Sequence, residues 1–251
     1  METDELLVKK RFSELAARAD NSGIYTYTAF LGLAEQDILS RLRRELPLPF
    51  SAFGGAEGCE RVVVRFGTPE LFGYDEPYPI RLLEARPLNQ KFADKLTHRD
   101  VLGALMGLGI ERSSTGDIVL RDNRAFVFCS DKIADYVKEN LSAAKHTPLA
   151  VSDCAELPEG ELFRTERQEL TVASARLDSV AAAWAKLSRG DMQELIAKGL
   201  VFINGRRTER SAEELAVDDV VSVRGYGRFI FRGELRQTKK GRQVVSIDRF
   251  I

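Results

Sequence analysis

The chain has 251 residues, 44% of them hydrophobic, enough to bury more than one core, so two or three domains are expected. Its net charge of −1 hides an asymmetry. Residues 164–251 hold 17 Lys and Arg against 12 Asp and Glu, a net of +5, and residues 1–163 carry −6; this argues against a protein that wraps nucleic acid over its whole surface and fits a tethered reader of it.

Three cysteines (Cys59, Cys129, Cys154) without CxxC spacing and two histidines (His98, His146) support neither a disulfide framework nor a zinc site. The acidic start, Met1-Glu2-Thr3-Asp4-Glu5, lacks a signal-peptide layout, and no apolar run reaches membrane-spanning length. The expectation is a cytoplasmic protein with no metal, no cofactor and no membrane.

In chain order, Leu6–Ala19 reads as a helix with Leu7, Phe12 and Leu15 apolar, and Glu35–Leu46 as a second, stopped by Pro47-Leu48-Pro49. The glycine-rich stretch Phe53–Arg61 then runs into a strand at Val62-Val63-Val64. No Gly-Lys-Ser/Thr follows it and the next element is not a helix, so a tight turn capping a strand is expected rather than a phosphate cradle.

From Tyr78 the pattern is regular. Ile80–Ala85 reads as a strand, Thr97–Gly109 as a helix, Asp117–Arg121 and Arg124–Cys129 as strands joined by Asp122-Asn123, Asp131–Leu141 as a helix and Leu149–Val151 as a last strand. That β-α-β-β-α-β order is the ferredoxin-like arrangement that RRM-type RNA binders share with many other proteins. Phe126 and Phe128 alternate onto one face, either as stacking aromatics or as core, and core is favoured because the Lys/Arg-Gly-Phe-Gly start of the RRM strand motif is missing. Thr97 as N-cap with Asp100 accounts for Thr97-His98-Arg99-Asp100 without catalysis; Arg99 and Arg112 are candidates for phosphate contact.

The polar segment 156–167 is the expected boundary, with Leu170-Thr171-Val172 as a strand beyond it. Val180, Ala183, Trp184 and Leu187 then form one helical stripe, Ser188 with Asp191 reads as a capping box, and Met192, Leu195 and Ile196 give a second helix ending at Gly199. Val201–Ile203 is a short strand leaving through the Asn204-Gly205 turn. Arg176, Arg189, Lys198, Arg206 and Arg207 fall at the ends of these elements, and Arg224 and Arg228 flank the glycines of 224–228. Guanidinium forks match phosphate oxygens in geometry. Further on, Arg228, Arg232, Glu234 and Arg236 are expected on one strand face and Phe229, Phe231 and Leu235 on the other, ahead of a hairpin turn at 237–241 that carries Lys239 and Lys240. That ribbon either extends a nucleic-acid surface or protects a sheet edge.

Two helices, a strand and a tight turn, with basic residues at the element ends, resemble the S4 domain, a small RNA-binding module. Taken whole, the chain resembles the YlmH family of bacterial S4-domain proteins, in this module and also in Phe53–Arg61 and Leu96–Leu120. The fold class this implies is α+β: an N-terminal α/β region (1–75), a ferredoxin-like (RRM-like) middle domain (76–160) and a C-terminal S4 (alpha-L) RNA-binding domain with a β-hairpin (168–251).

The resemblance implies a non-catalytic RNA-binding protein on the ribosome, at the large subunit, with rRNA and peptidyl-tRNA as partners in rescue or quality control. A protein partner for the acidic N-terminal part is a further expectation. Arg176, Ser188, Arg189, Lys198, Asn204, Gly205, Arg206, Arg207, Arg224 and Arg228 become the RNA-contact candidates, with Arg232, Arg236, Lys239 and Lys240 as additional ones. Charge reversal at Arg189 or Arg207 is expected to weaken RNA binding by about 1–3 kcal/mol while leaving stability nearly unchanged.

One departure is Asp218-Asp219, where the module usually has Gly-Asp. The alternatives are an RNA-modifying enzyme of pseudouridine synthase or methyltransferase type, for which no strand-to-GxGxxG unit or catalytic domain is legible, and an adaptor whose basic module only supports folding.

Overall fold

The computed structural model describes residues 2–158, 160 and 165–250, residues 2–4 as helix backbone only. The chain is a mixed helix and strand protein built on antiparallel sheets, and it divides into two compact units, Met1–Leu162 and Phe163–Ile251. Of the expected boundary segment, residues 159 and 161–164 lie outside the described residues, and 165–167 belong to a strand of the second unit.

The first unit begins with helix α1 (Glu2–Ser22), strand β1 (Thr26–Tyr27), helix α2 (Leu33–Leu42), strands β2 (Phe50–Phe53) and β3 (Val63–Phe66) and the short helix α3 (Pro69–Phe72). The three strands form a sheet in the order β1-β3-β2. Phe12, Ala16 and Ala19, one stripe of α1, pack with Leu39 and Leu42 of α2 against Phe66. The glycine-rich stretch is the connection of the β2–β3 hairpin, so its role is to turn the chain.

The unit continues with β4 (Ile80–Pro87), α4 (His98–Gly107), β5 (Thr115–Arg121), β6 (Arg124–Ser130), α5 (Asp131–Asn140), β7 (Ala143–Ala144) and β8 (Thr147–Asp153). The antiparallel sheet order is β5-β6-β4-β8-β7. One face packs Leu83, Ala85, Val127 and Cys129 with Val101 and Leu105 of α4 and Ala134 and Val137 of α5. The other packs Val119, Phe126 and Phe128 with Phe30 and Val63 from the preceding region. This sheet is therefore closed on both faces, and the expected boundary near residue 75 falls inside one unit.

The second unit holds β9 (Thr165–Val172), α6 (Leu177–Ala185), α7 (Arg189–Ala197), β10 (Val201–Ile203), β11 (Arg206–Arg207), β12 (Val220–Val223), β13 (Gly227–Gln237) and β14 (Gln243–Phe250). Its sheet runs β11-β10-β12-β13-β14-β9, antiparallel throughout. Val201, Ile203, Val221, Val223, Phe229, Phe231, Val245 and Ile247 alternate onto one face beneath the two helices, where Trp184 meets Phe229 with ring centroids 5.0 Å apart. The expected alternation along β13 fails past Phe231. Bulges leave Arg232 and Leu235 without register partners, and Leu235 is half exposed instead of joining the phenylalanines.

Candidate nucleic-acid interface

The helix pair of the second unit is built on a buried carboxylate. Asp178, in the first turn of α6, is fully buried. Arg189 Nη2 donates to its Oδ2 at 2.6 Å and Gln193 Nε2 at 3.1 Å, with Arg176 Nη2 at 3.7 Å. Burial pushes this carboxyl up, but the Arg189 and Gln193 hydrogen bonds and the Arg176 charge outweigh it and hold the group below its ordinary range.

Arg189 is therefore both a surface cation and the counter-charge of the core carboxylate. Its reversal would set two negative charges together, which corrects the expectation of unchanged stability. Ser188 caps α7 as its position indicates: its hydroxyl donates to Asp191 Oδ2 at 2.7 Å and accepts from the Asp191 N–H at 3.1 Å. That oxygen is engaged in starting the helix.

Asn204 and Gly205 adopt φ of 50° and 74°, the left-handed pair of a type I′ turn between β10 and β11. The Asn204 amide donates to Asp219 Oδ1 at 2.8 Å and accepts from the Val220 N–H at 2.9 Å, clipping the turn to the start of β12. These two residues present their neighbours and offer little themselves. Arg206 and Arg207 are both exposed on β11. The Arg207 guanidinium lies against Gly199, 2.3 Å from where a Cβ would fall, but this exposed, flexible end can move aside, so it is φ (+69°) that selects glycine here. Lys198, beside it, caps α7 and pairs with Glu194 at 3.1 Å on the surface.

The sheet face away from the helices brings several candidates together. Register places Arg207 opposite Phe202, Phe202 opposite Ser222 and Ser222 opposite Arg228, one row across four strands. Arg224 Cζ sits 5.1 Å from the Phe202 ring centroid, and Arg228 Cζ 4.0 Å from that of Phe250. Each ring thus holds a guanidinium over it, a contact that limits where the cation can lie. The rings were not among the residues singled out in the sequence; the signal was there, in the Val-Phe-Ile alternation that places Phe202 opposite its buried neighbours.

The additional candidates separate. Arg232 pairs with Asp218 and with the buried Asp248 (2.6 Å), and Arg236 with Glu169 (2.8 Å), so both are neutralised within the sheet. Lys239 and Lys240 are exposed in the hairpin turn and pair with no carboxylate among the described residues. Lys186, in a left-handed conformation (φ 57°) at the end of α6, is a further exposed cation that the sequence pattern did not mark.

In the first unit two arginines are turned inward. Arg61 donates to the carbonyls of Phe30 (2.9 Å), Arg112 (3.1 Å) and Thr115 (3.0 Å), and Arg112 to those of Thr115 and Gly116 at 2.8 and 2.9 Å. Asp117 accepts from the N–H groups of Glu60 and Arg61. Burial, and then the Arg61 charge beside it, push Arg112 down to about 10. Arg112 is consequently withdrawn as a phosphate contact. This cluster ties the Phe53–Arg61 loop to the 111–117 segment, which gives both stretches a structural role. Asp100 accepts from Thr97 N at 2.9 Å and Thr97 Oγ1 at 2.7 Å, engaging its carboxylate in the helix cap.

Among the described residues no group of three or more His, Cys, Asp or Glu side chains is placed to hold a metal ion, and no helix is long and apolar enough to cross a membrane. Fold and site together define a two-unit protein of antiparallel sheets whose basic unit displays arginines over aromatic rings. Residues 74–156 match the family described as "Putative RNA-binding domain in YlmH". The chain is 31% identical over 231 residues to the "Ribosome-associated protein quality control protein P2" of Bacillus subtilis (strain 168), covering 88% of this chain and 86% of that protein. A solved structure, "Cell division protein ylmH from Streptococcus pneumoniae", aligns with a TM-score of 0.48 at 23% identity over 60% of this chain and 91% of that one. The chain belongs to the YlmH family.

Proposed function

We propose that this protein is a non-catalytic RNA-binding factor that works on the ribosome, with the second unit as an S4-type module and the β4–β8 region as a ferredoxin-like domain. The observation that carries the reading is the row of Arg207, Phe202, Ser222 and Arg228 with Arg224 alongside, on the open face of a sheet in the part of the chain with net charge +5. Rings plus guanidinium forks are what a folded or unstacked RNA offers partners for: phosphates to the arginines and base faces to the aromatics. The description of the matched family as RNA-binding and the name of the Bacillus relative support RNA and the ribosome as the setting.

On this reading the RNA is rRNA or tRNA of the large subunit, peptidyl-tRNA included, and the acidic first unit occupies a neighbouring site or recruits a protein partner. About five phosphate contacts by Arg206, Arg207, Arg224, Arg228 and Lys239/Lys240 would give a log–log salt slope near −3 to −4. The test is ultraviolet crosslinking in cells followed by sequencing of the bound RNA and mapping of the crosslinked peptides. Crosslinks concentrated in large-subunit rRNA and tRNA and in peptides spanning 202–228 support the proposal; scattered crosslinks, or a flat salt response in vitro, sink it.

A further inference from the structure

A cleft in the first unit lies apart from the face just described. It has a volume of about 590 Å³ and opens between α1, the segment 24–30 that follows it, and the start of α5. Arg11, Leu15 and Arg18 line it from α1 at i, i+4 and i+7, the spacing of one helical stripe. Lys132, in the first turn of α5, also lines it, as do Ser113, Ser114 and Ser130. Two carboxylates, Glu76 and Glu111, also border the cleft, and Ser113 Oγ donates to Glu111 at 3.1 Å.

The charges make this cleft unusual for its unit. Residues 1–163 carry −6, and several arginines elsewhere in the unit are paired: Arg41 with Glu5 and Asp37, Arg65 with Asp75, Arg124 with Glu84, and Arg61 and Arg112 with backbone carbonyls; Arg44, Arg86 and Arg99 are exposed but do not line this cleft. Arg11, Arg18 and Lys132 are exposed and make no ion pair among the described residues. Three unpaired cations gathered on one concavity of an acidic unit complement a phosphate-bearing ligand, the Ser113 and Ser130 hydroxyls being engaged by Glu111 and Asp131. The half-buried Tyr27 ring on the same wall adds an aromatic edge.

The β4–β8 sheet points to the same place. The family description attaches RNA binding to residues 74–156. Within that range the face an RRM would offer to bases is occupied, because Phe126 and Phe128 are each 1% exposed beneath Phe30 and Val63. The opposite face is covered by α4 and α5. RNA bound by this region must therefore meet its margin.

We propose that this cleft is a second RNA-contact site, taking the backbone and one base of a single-stranded segment, and that it is split across the limits of the matched domain. Residues before 74 supply Arg11, Arg18 and Tyr27; residues within it supply Lys132 and Ser114. The inference rests on the RNA-binding reading above and adds a site and a ligand class to it.

The test uses the full chain and a fluorescent single-stranded RNA of mixed sequence, titrated at several salt concentrations. Two triple variants are compared, Arg11→Glu/Arg18→Glu/Lys132→Glu in the cleft and Arg224→Glu/Lys239→Glu/Lys240→Glu in the second unit. The cleft variant is expected to lose about tenfold in affinity or more and to flatten the log–log slope by about 2, at roughly 0.7 for each single-strand phosphate contact. Unchanged affinity and slope in the cleft variant, with loss in the other, overturn the cleft and leave the main reading standing. No loss in either overturns both. All three cleft side chains are exposed, and the melting temperature checks folding; if the reversals melt early, the Gln substitutions at the same positions carry the same slope readout. With 4-thiouridine RNA, crosslinks on the peptide containing Tyr27 are expected, and their absence counts against the cleft.

Discussion

The two larger sheets use phenylalanine and arginine in opposite ways. In the β4–β8 sheet, Phe126 and Phe128 are sealed under the preceding region, and the nearby Arg61 and Arg112 point at backbone carbonyls. In the second unit, Phe202 and Phe250 stay half exposed and each supports a guanidinium above its ring. The residue types are the same. What differs is whether the second face of the sheet has a cover; in the covered sheet Arg61 and Arg112 act as internal struts, and Arg124, 5.7 Å from the Phe126 ring, is paired with Glu84.

The largest expected effect tests the inward half of this contrast. Arg61→Ala removes the donor from three carbonyls and one of the two arginine charges beside Asp117, so unfolding in denaturant is expected to show the first unit weakened by about 3 kcal/mol. A loss below about 1 kcal/mol would mean water replaces the guanidinium and the strut description is wrong. RNA binding by the second unit should persist in this variant under conditions where it stays folded.

Arg189 breaks the contrast, because it is displayed and internal at once. Arg189→Glu is expected to cost about 2 kcal/mol of stability in the second unit, less than for a fully buried pair because the arginine is half exposed. Restoring most of that loss by adding Asp178→Asn would show that the cost is the unpaired carboxylate. An effect on RNA affinity is then interpretable only in the double variant.

The displayed half is tested by Phe202→Ala and Arg224→Ala. Each should lower thermal stability by only about 1 kcal/mol, since the ring is partly exposed and its cation contact is worth about 0.5–1 kcal/mol. Phe202→Ala should nevertheless cost about 1–3 kcal/mol in RNA affinity if a base stacks on the ring. Equal affinity with unchanged stability would make the ring a mere prop for Arg224.

Much of the second unit was legible in the sequence because its signals are local. Ser188 and Asp191 form the capping box that their spacing indicates, Gly199 takes the left-handed conformation, and Asn204-Gly205 makes the tight turn. The buried stripe of α6 and the strand Val201–Ile203 follow from period alone. What remained hidden depends on pairing at long range. Asp178 and Arg189 are 11 residues apart on different helices, and nothing in periodicity says that one buries under the other. The bulges at Arg232 and Leu235 come from the register of β14, so a strict two-residue alternation misplaced Leu235. The closure of the β4–β8 sheet by Phe30 needs a contact spanning roughly a hundred residues. Arg112 differs: its acceptors, Thr115 and Gly116, are local, but spacing alone does not say that the turn aims the guanidinium back at them.

Acid sensitivity adds a smaller effect in the second unit. Hydrogen bonds from Arg167, and after them from Arg232, hold the buried Asp248 carboxyl below its ordinary value of 3.8 against the opposing push of burial. A lowered folded value means stability that is present above 3.8 and lost as pH falls through the folded value, when the native state must take up a proton. Asp248→Asn should therefore flatten the decline in melting temperature below pH 4, relative to the parent protein. A decline of equal steepness would assign acid unfolding to other carboxylates.

The smallest effect concerns the one residue that departs from the pattern of the basic module. Asp218 adopts φ of 73°, so the backbone keeps the left-handed geometry that a glycine would favour, and the aspartate carboxylate pairs with Arg232. Conformational strain and ion pairing therefore oppose each other at this position. Arg232 keeps Asp248 when Asp218 is altered, so the pair is worth little by itself. Asp218→Asn retains tolerance of positive φ and removes only the charge, for an expected change within about 0.5 kcal/mol. Asp218→Gly exchanges the pair for backbone ease and should come out near neutral. Asp218→Ala loses both and should cost about 1 kcal/mol. A ranking with alanine lowest and asparagine and glycine together would show that the turn selects for conformation; asparagine falling with alanine would show instead that the carboxylate holds Arg232 in place.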